Sequence, residues 1–186
     1  LIYGLTHTIP GEVIEEAIAE GTIEKYLQKV PIEKDDIFFI RPGTIHAIGA
    51  GALIAEIQEN SNITYRLYDY DRTDKQGNKR PLHVKKALEV ASLIQMSEPR
   101  QPMRVLNYRP GIARELLSRC EYFEVYRMIV NTERRQKVSF RADEESFRVL
   151  LCINGCGVLG FEGENLNVYK GDCIFVPADA VDISIQ

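Results

Sequence analysis

Residues 36–72, DIFFIRPGTIHAIGAGALIAEIQENSNITYRLYDYDR, decide the reading of this chain. They set His46, Glu56 and Arg66 at ten-residue intervals in a pattern that reads as strand, turn, strand, strand. Apolar residues alternate with these three, so an imidazole, a carboxylate and a guanidinium can project into one barrel interior. Buried charge is costly unless paired, and strands that carry it inward read as a site rather than a core. The Gly49-Ala50-Gly51-Ala52 turn has the glycines a tight hairpin needs. With an odd-numbered loop centred near Gly51, His46 lies opposite Glu56 and shares a face with Gln58 and Asn60. With an even-numbered loop Glu56 faces away.

The three groups suit a specific chemistry. A neutral imidazole is a good zinc ligand. A carboxylate at Glu56 suits ligation, support of a ligand, or carriage of a proton. The Arg66 guanidinium stays charged, which suits it to an anionic oxygen in a transition state or to a phosphate. The plain alternative is a buried His46–Glu56 pair, with Arg66 anchoring Asp69 or Asp71. His83 reads as a helix start facing solvent and His7 as part of a turn. Tyr65, Tyr68 and Tyr70 read as a strand face, and Lys79 and Arg80 as a solvated loop after a turn at 74–77.

Working outward, residues 10–29 are expected to be helical: Val13, Ile14, Ala17 and Ile18 recur at helical spacing and Pro10 suits a helix start. Gly21 ends that helix and Thr22 caps a second, short one. Block 36–70 is strand-rich, and 83–95 forms a third helix. Segment 98–121, with three prolines and little periodicity at first, reads as a linker. Strands follow at 123–130, 136–140, 146–154, 156–161, 166–168 and 173–176, punctuated by Asn154-Gly155, Glu162-Gly163 and Lys170-Gly171. Short strands at this spacing suit a sandwich or jelly roll. Residues 34–43 parallel 169–178, which suggests an internal duplication whose second copy has no histidine.

Composition bounds the function. A chain of 186 residues, 45% hydrophobic, can bury one good core or two small ones. A net charge of −4, with no basic tract longer than a Lys-Arg or Lys-Lys pair, argues against a nucleic-acid surface and an anionic-membrane patch. No apolar run approaches the ~20 residues that span a bilayer. Cys120, Cys152, Cys156 and Cys173 lack a zinc-ribbon spacing and read as free thiols of a cytoplasmic protein. Both ends look like interior strands, as expected of the middle and late part of a longer protein trimmed at each end.

Three pieces carry a family resemblance: Gly43-Thr44-Ile45-His46-Ala47-Ile48-Gly49, Glu56-Ile57-Gln58-Glu59-Asn60-Ser61, and Thr64-Tyr65-Arg66-Leu67-Tyr68-Asp69-Tyr70-Asp71-Arg72. With Lys79-Arg80-Pro81-Leu82-His83, the ordered set resembles the type I mannose-6-phosphate isomerases, especially the short bacterial class. The similarity is dense over residues 1–95 and thinner beyond. It implies a mainly β fold: two cupin-type β jelly-roll domains with a few short helices. The domains would be 1–97, the metal-side part of the first cupin with a helical insertion, and 122–186, a second cupin without metal ligands. It also implies one zinc ion per subunit, with His46 as the last ligand in sequence and the others upstream of this chain. Arg66 and Glu56 match catalytic positions and Asn60 a substrate-binding one. The implied partner is a hexose 6-phosphate, and the implied reaction interconverts mannose 6-phosphate and fructose 6-phosphate. This chain alone is expected to be inactive. Arg41 and Pro42 depart from the family pattern, which has proline and a small residue there. A phosphosugar-binding cupin without catalysis, or a cupin pair used for assembly, are the competing readings.

Overall fold

The computed structural model describes residues 1–97, 100, 105–133, 138–179 and 181–186, and the chain divides into two compact units, Leu1–Pro102 and Met103–Gln186.

The first unit is built on a three-stranded antiparallel sheet. β1 (Ile2–Leu5) lies between β2 (Leu27–Lys29) and β3 (His46–Ala47). Helix α1 (Gly11–Ala19) starts where Pro10 offers its carbonyl to the Val13 and Ile14 amides. It ends in a Schellman motif at Gly21, whose φ of 69° suits a residue without Cβ; Thr22 N–H donates to Ala17 O and Gly21 N–H to Ile18 O. The expected second α-helix is a 3-10 turn, Ile23–Tyr26, and Leu27 then turns extended to join the sheet, so helix does not continue to 29. Pairing with β1 overrides the helical periodicity there, because Leu5↔Leu27 register places both side chains in the core. Leu5, Ile14 and Ile23 have no exposed area, and Ile9, Ala17 and Leu27 complete the cluster. Each leucine or isoleucine side chain so removed from water contributes about 1.5–3 kcal/mol before entropy is counted.

Block 36–70 departs from expectation. Within it only His46–Ala47 forms a named strand among the described residues; Phe38 makes an isolated bridge to Arg100. Residues 52–59 take no regular structure, and Leu53 is 94% exposed. Alternation marks a face, but a strand also needs a hydrogen-bonding neighbour, and β3 pairs with β1 rather than with 54–58. The His46–Glu56 hairpin register is therefore not formed. Helix α2 (Val84–Val90) is shorter than expected: Ala91 turns extended, Ser92 N–H donates to Gly43 O, and Gln95 bridges to Leu5.

The second unit is antiparallel β throughout its described strands. One sheet holds β4 (Val105–Arg109), β5 (Ile112–Arg119) and β6 (Glu124–Val130). A second runs β10 (Glu164–Tyr169), β9 (Cys156–Phe161), β12 (Asp182–Ile185), β7 (Val138–Arg141), and a third pairs β8 (Arg148–Leu151) with β11 (Cys173–Val176). Ala142, Val176 and Ile183 form its core, with Phe140, Leu150, Leu159 and Ile174 packed around them. The Glu162-Gly163 turn joins β9 to β10 with both residues at positive φ, as a two-residue hairpin requires. Residues 105–119, expected as linker, are instead strands β4 and β5. Pro110-Gly111 is their hairpin turn, and Glu115, whose charge hid the strand, is paired: it meets Arg127, opposite it on β6, at 2.9 Å, with 4% and 10% of the two side chains exposed. The proposed duplication finds no structural echo, since 173–176 is strand and 37–40 is not. Residues 136 and 137 of one expected strand lie outside the described residues.

Candidate active site

Gly43 opens the segment that carries His46. Its φ is 82°, and a Cβ there would stand 2.6 Å from the Val90 carbonyl oxygen, so no side chain fits against the end of α2. Thr44 N–H closes a turn onto Arg41 O at 3.1 Å, so the Arg41-Pro42 departure leaves this turn intact. Thr44 is buried, and Ile45 O accepts from Gly4 N–H at 2.7 Å, which fixes β3 beside β1. His46 then sits opposite Tyr3. Tyr3 OH donates to Phe39 O at 2.9 Å, and burial raises its phenol pKa while nearby Arg41 opposes the rise.

The His46 imidazole is exposed, with Nδ1 2.9 Å from Thr44 O. A carbonyl oxygen only accepts, so Nδ1 carries a proton, and in the neutral ring Nε2 then keeps its lone pair. A backbone carbonyl that orients an imidazole in this way is a common support for a metal-ligating histidine. His46 thus fits as one ligand. Among the described residues no group of three His, Cys, Asp or Glu side chains gathers to complete a set.

The other candidates are placed differently. Glu56 and Asn60 are exposed on chain without strand pairing. Arg66 is half-buried and tied to the start of α2: Nη1 donates to Pro81 O at 3.1 Å, its backbone N–H donates to His83 Nδ1 at 3.1 Å, and His83 N–H donates to Arg66 O at 2.7 Å. Arg66 therefore does not anchor Asp69 in the way the plain alternative supposed. Asp69, 6% exposed, is held instead by Arg72 Nη2 at 2.7 Å and by Arg80 Nε at 2.8 Å. Hydrogen bonds from Arg80, then Arg72, outweigh desolvation and lower its pKa to about 2. The loop between the two arginines is pinned by Asp74, whose Oδ1 accepts from the Gln76 and Asn78 amides at 2.8 and 2.9 Å. These backbone amides, with the Asn78 bond first, lower the Asp74 pKa. Sequence reasoning set His83 aside as a solvent-facing helix start; it does start α2, but it is half-buried and bonded to Arg66. Lys79 and Arg80, read as a solvated loop, are exposed and also ion-paired, with Asp71 and Asp69. His7 is exposed, with Nδ1 2.9 Å from Thr6 Oγ1. The four cysteines are free thiols. No helix among the described residues is long and apolar enough to cross a membrane.

The profile of the mannose-6-phosphate isomerase cupin domain matches residues 113–186. The crystal structure of the mannose 6-phosphate isomerase from Bacillus subtilis superposes with a TM-score of 0.87 at 34% identity, over 100% of this chain and 56% of that one. Residues 113–186 thus resemble a mannose-6-phosphate isomerase cupin domain, and the whole chain is similar to part of a mannose 6-phosphate isomerase of known structure. Bacillus subtilis (strain 168) YvyI is 34% identical over 186 residues, covering 100% of this chain and 56% of that protein. The mannose-6-phosphate isomerase ManA of the same strain is 34% identical over 181 residues, covering 95% and 54%. The mannose-6-phosphate isomerase of Streptococcus mutans is 30% identical over 167 residues, covering 89% and 50%. The chain thus spans about half the length of the curated relatives it matches. Among the described residues, mainly antiparallel β structure with two α-helices agrees with the match to a cupin domain.

Proposed function

We propose that the full-length protein interconverts mannose 6-phosphate and fructose 6-phosphate, and that residues 1–97 and 122–186 belong to two cupin jelly rolls, the first on the metal side. One observation supports this above the others. The Gly43-to-His46 segment, in a chain alignable over its full length with an isomerase of known structure, leaves an imidazole with a free Nε2 lone pair.

His46 would hold zinc together with residues from outside this chain; one zinc per subunit, when bound, would polarise sugar oxygens. The rest falls to side chains. Aldose–ketose interconversion moves a proton between C1 and C2 while charge develops on oxygen. Arg66, charged at every working pH, stabilises that oxygen. Glu56 carries a proton and Asn60 binds substrate hydroxyls. The substrate is doubly charged and does not cross a bilayer unaided, which suits a cytoplasmic enzyme.

The test is fructose 6-phosphate formation by the full-length protein and by the 186-residue chain, both with added zinc. Turnover by the former alone is expected. Hexose phosphate binding without turnover in the full-length protein would favour a regulatory, non-catalytic cupin instead.

A further inference from the structure

Arg66 is fixed at three points by the residues that open α2. Its backbone N–H donates to His83 Nδ1 at 3.1 Å, its carbonyl accepts from His83 N–H at 2.7 Å, and its Nη1 donates to Pro81 O at 3.1 Å. An amide N–H only donates, so Nδ1 of His83 holds a lone pair and the ring proton sits on Nε2, the reverse of His46. The half-buried imidazole stands 6.4 Å from the Tyr65 ring. The Pro81 carbonyl has a fixed place because Asp69 clamps Arg80, the residue before it, to Arg72 across the Asp74 loop.

We propose that His83 is a positioning residue: through Nδ1 it holds the Arg66 backbone, and with it the guanidinium, where a developing oxyanion would be met. This rests on the isomerase reading of the site. A guanidinium acting only in the transition state is sensitive to such support, since misplacement by about 1 Å costs on the order of 100-fold. The hydrogen-bond count gives the same direction, because removing Nδ1 leaves the Arg66 N–H without its acceptor.

The test uses the full-length protein with His83→Asn, His83→Gln and His83→Leu. Asparagine can set its Oδ1 close to the place of Nδ1, whereas glutamine carries its acceptor one bond farther out. His83→Leu and His83→Gln are expected to lower kcat about 100-fold with KM unchanged, while His83→Asn keeps most of the activity. A His83→Asn variant as slow as His83→Leu, or a His83→Leu variant as fast as the unsubstituted protein, would overturn the proposal. The Arg66 amide resonance gives a second readout, expected to move in the leucine and glutamine variants and to stay in the asparagine variant. Absence of turnover in the unsubstituted protein refutes the isomerase reading alone. The resonance then decides: an Arg66 amide unmoved in His83→Leu would overturn the positioning.

Discussion

The Asp69 carboxylate and the Arg80 guanidinium, eleven residues apart, meet through Nε–Oδ2 at 2.8 Å, and Arg72 Nη2 donates to Oδ1 of the same carboxylate at 2.7 Å. Two cations on one nearly buried anion join the chain after Arg66 to the chain before His83.

Acid should therefore loosen the first unit through Asp69. Its folded-state pKa is lowered to about 2, whereas an unfolded aspartate titrates near about 3.9. A depressed carboxylate contributes stability that is present above the unfolded pKa and lost as pH falls through the folded one. Urea midpoints measured from pH 5 downward should fall more steeply for the unsubstituted protein than for Asp69→Asn between about pH 4 and 2. Parallel slopes would remove Asp69 from the account.

Gly43→Ala should be strongly unfavourable. The backbone there has φ 82°, and a Cβ would press on the Val90 carbonyl at 2.6 Å. The left-handed conformation alone costs a non-glycine residue roughly 1–2 kcal/mol, and the Val90 contact adds to it. A denaturation midpoint unchanged from that of the parent would show that the turn before His46 is not held this way.

Much of the first unit was legible before any coordinates, because its signals are local. Pro10, the Ile14–Ala17 spacing and Gly21 describe α1 from start to stop, and the structure follows them. Glu162-Gly163 likewise marks its hairpin. What failed was pairing over distance. The apolar alternation of 52–58 does not say which strand lies beside it, and β3 turned to β1 instead. Strand β5 was hidden for the opposite reason: Glu115 interrupts its apolar pattern, and only its partner Arg127 makes burial tolerable. His46 was legible from its Gly-Thr-Ile setting, whereas His83 drew attention only as a helix start, since its contact with Arg66 spans 17 residues.

The buried pair in the second unit offers a double-mutant test. Glu115 and Arg127 sit at 2.9 Å with side chains 4% and 10% exposed. Arg127→Met alone strands a buried carboxylate and should cost about 3–5 kcal/mol. Adding Glu115→Met should recover part of that loss, because both charges are then gone. A double variant less stable than the single, by urea titration, would mean the pair is not the term that matters.

Ile14→Ala tests the core of the first unit. Ile14 has no exposed area and lies in the cluster with Leu5, Ile9, Ala17, Ile23 and Leu27. Truncation should cost about 2–5 kcal/mol by denaturant unfolding. A loss under about 1 kcal/mol would indicate a site free to collapse.

The central claim is that Arg66 serves chemistry. The most direct measurement is kcat for conversion of mannose 6-phosphate to fructose 6-phosphate by the full-length protein, with and without Arg66→Ala. The account predicts turnover in the unsubstituted protein and a fall of about 10²–10³-fold in the Arg66→Ala variant, with the urea midpoint retained. Equal rates in the two proteins would contradict it.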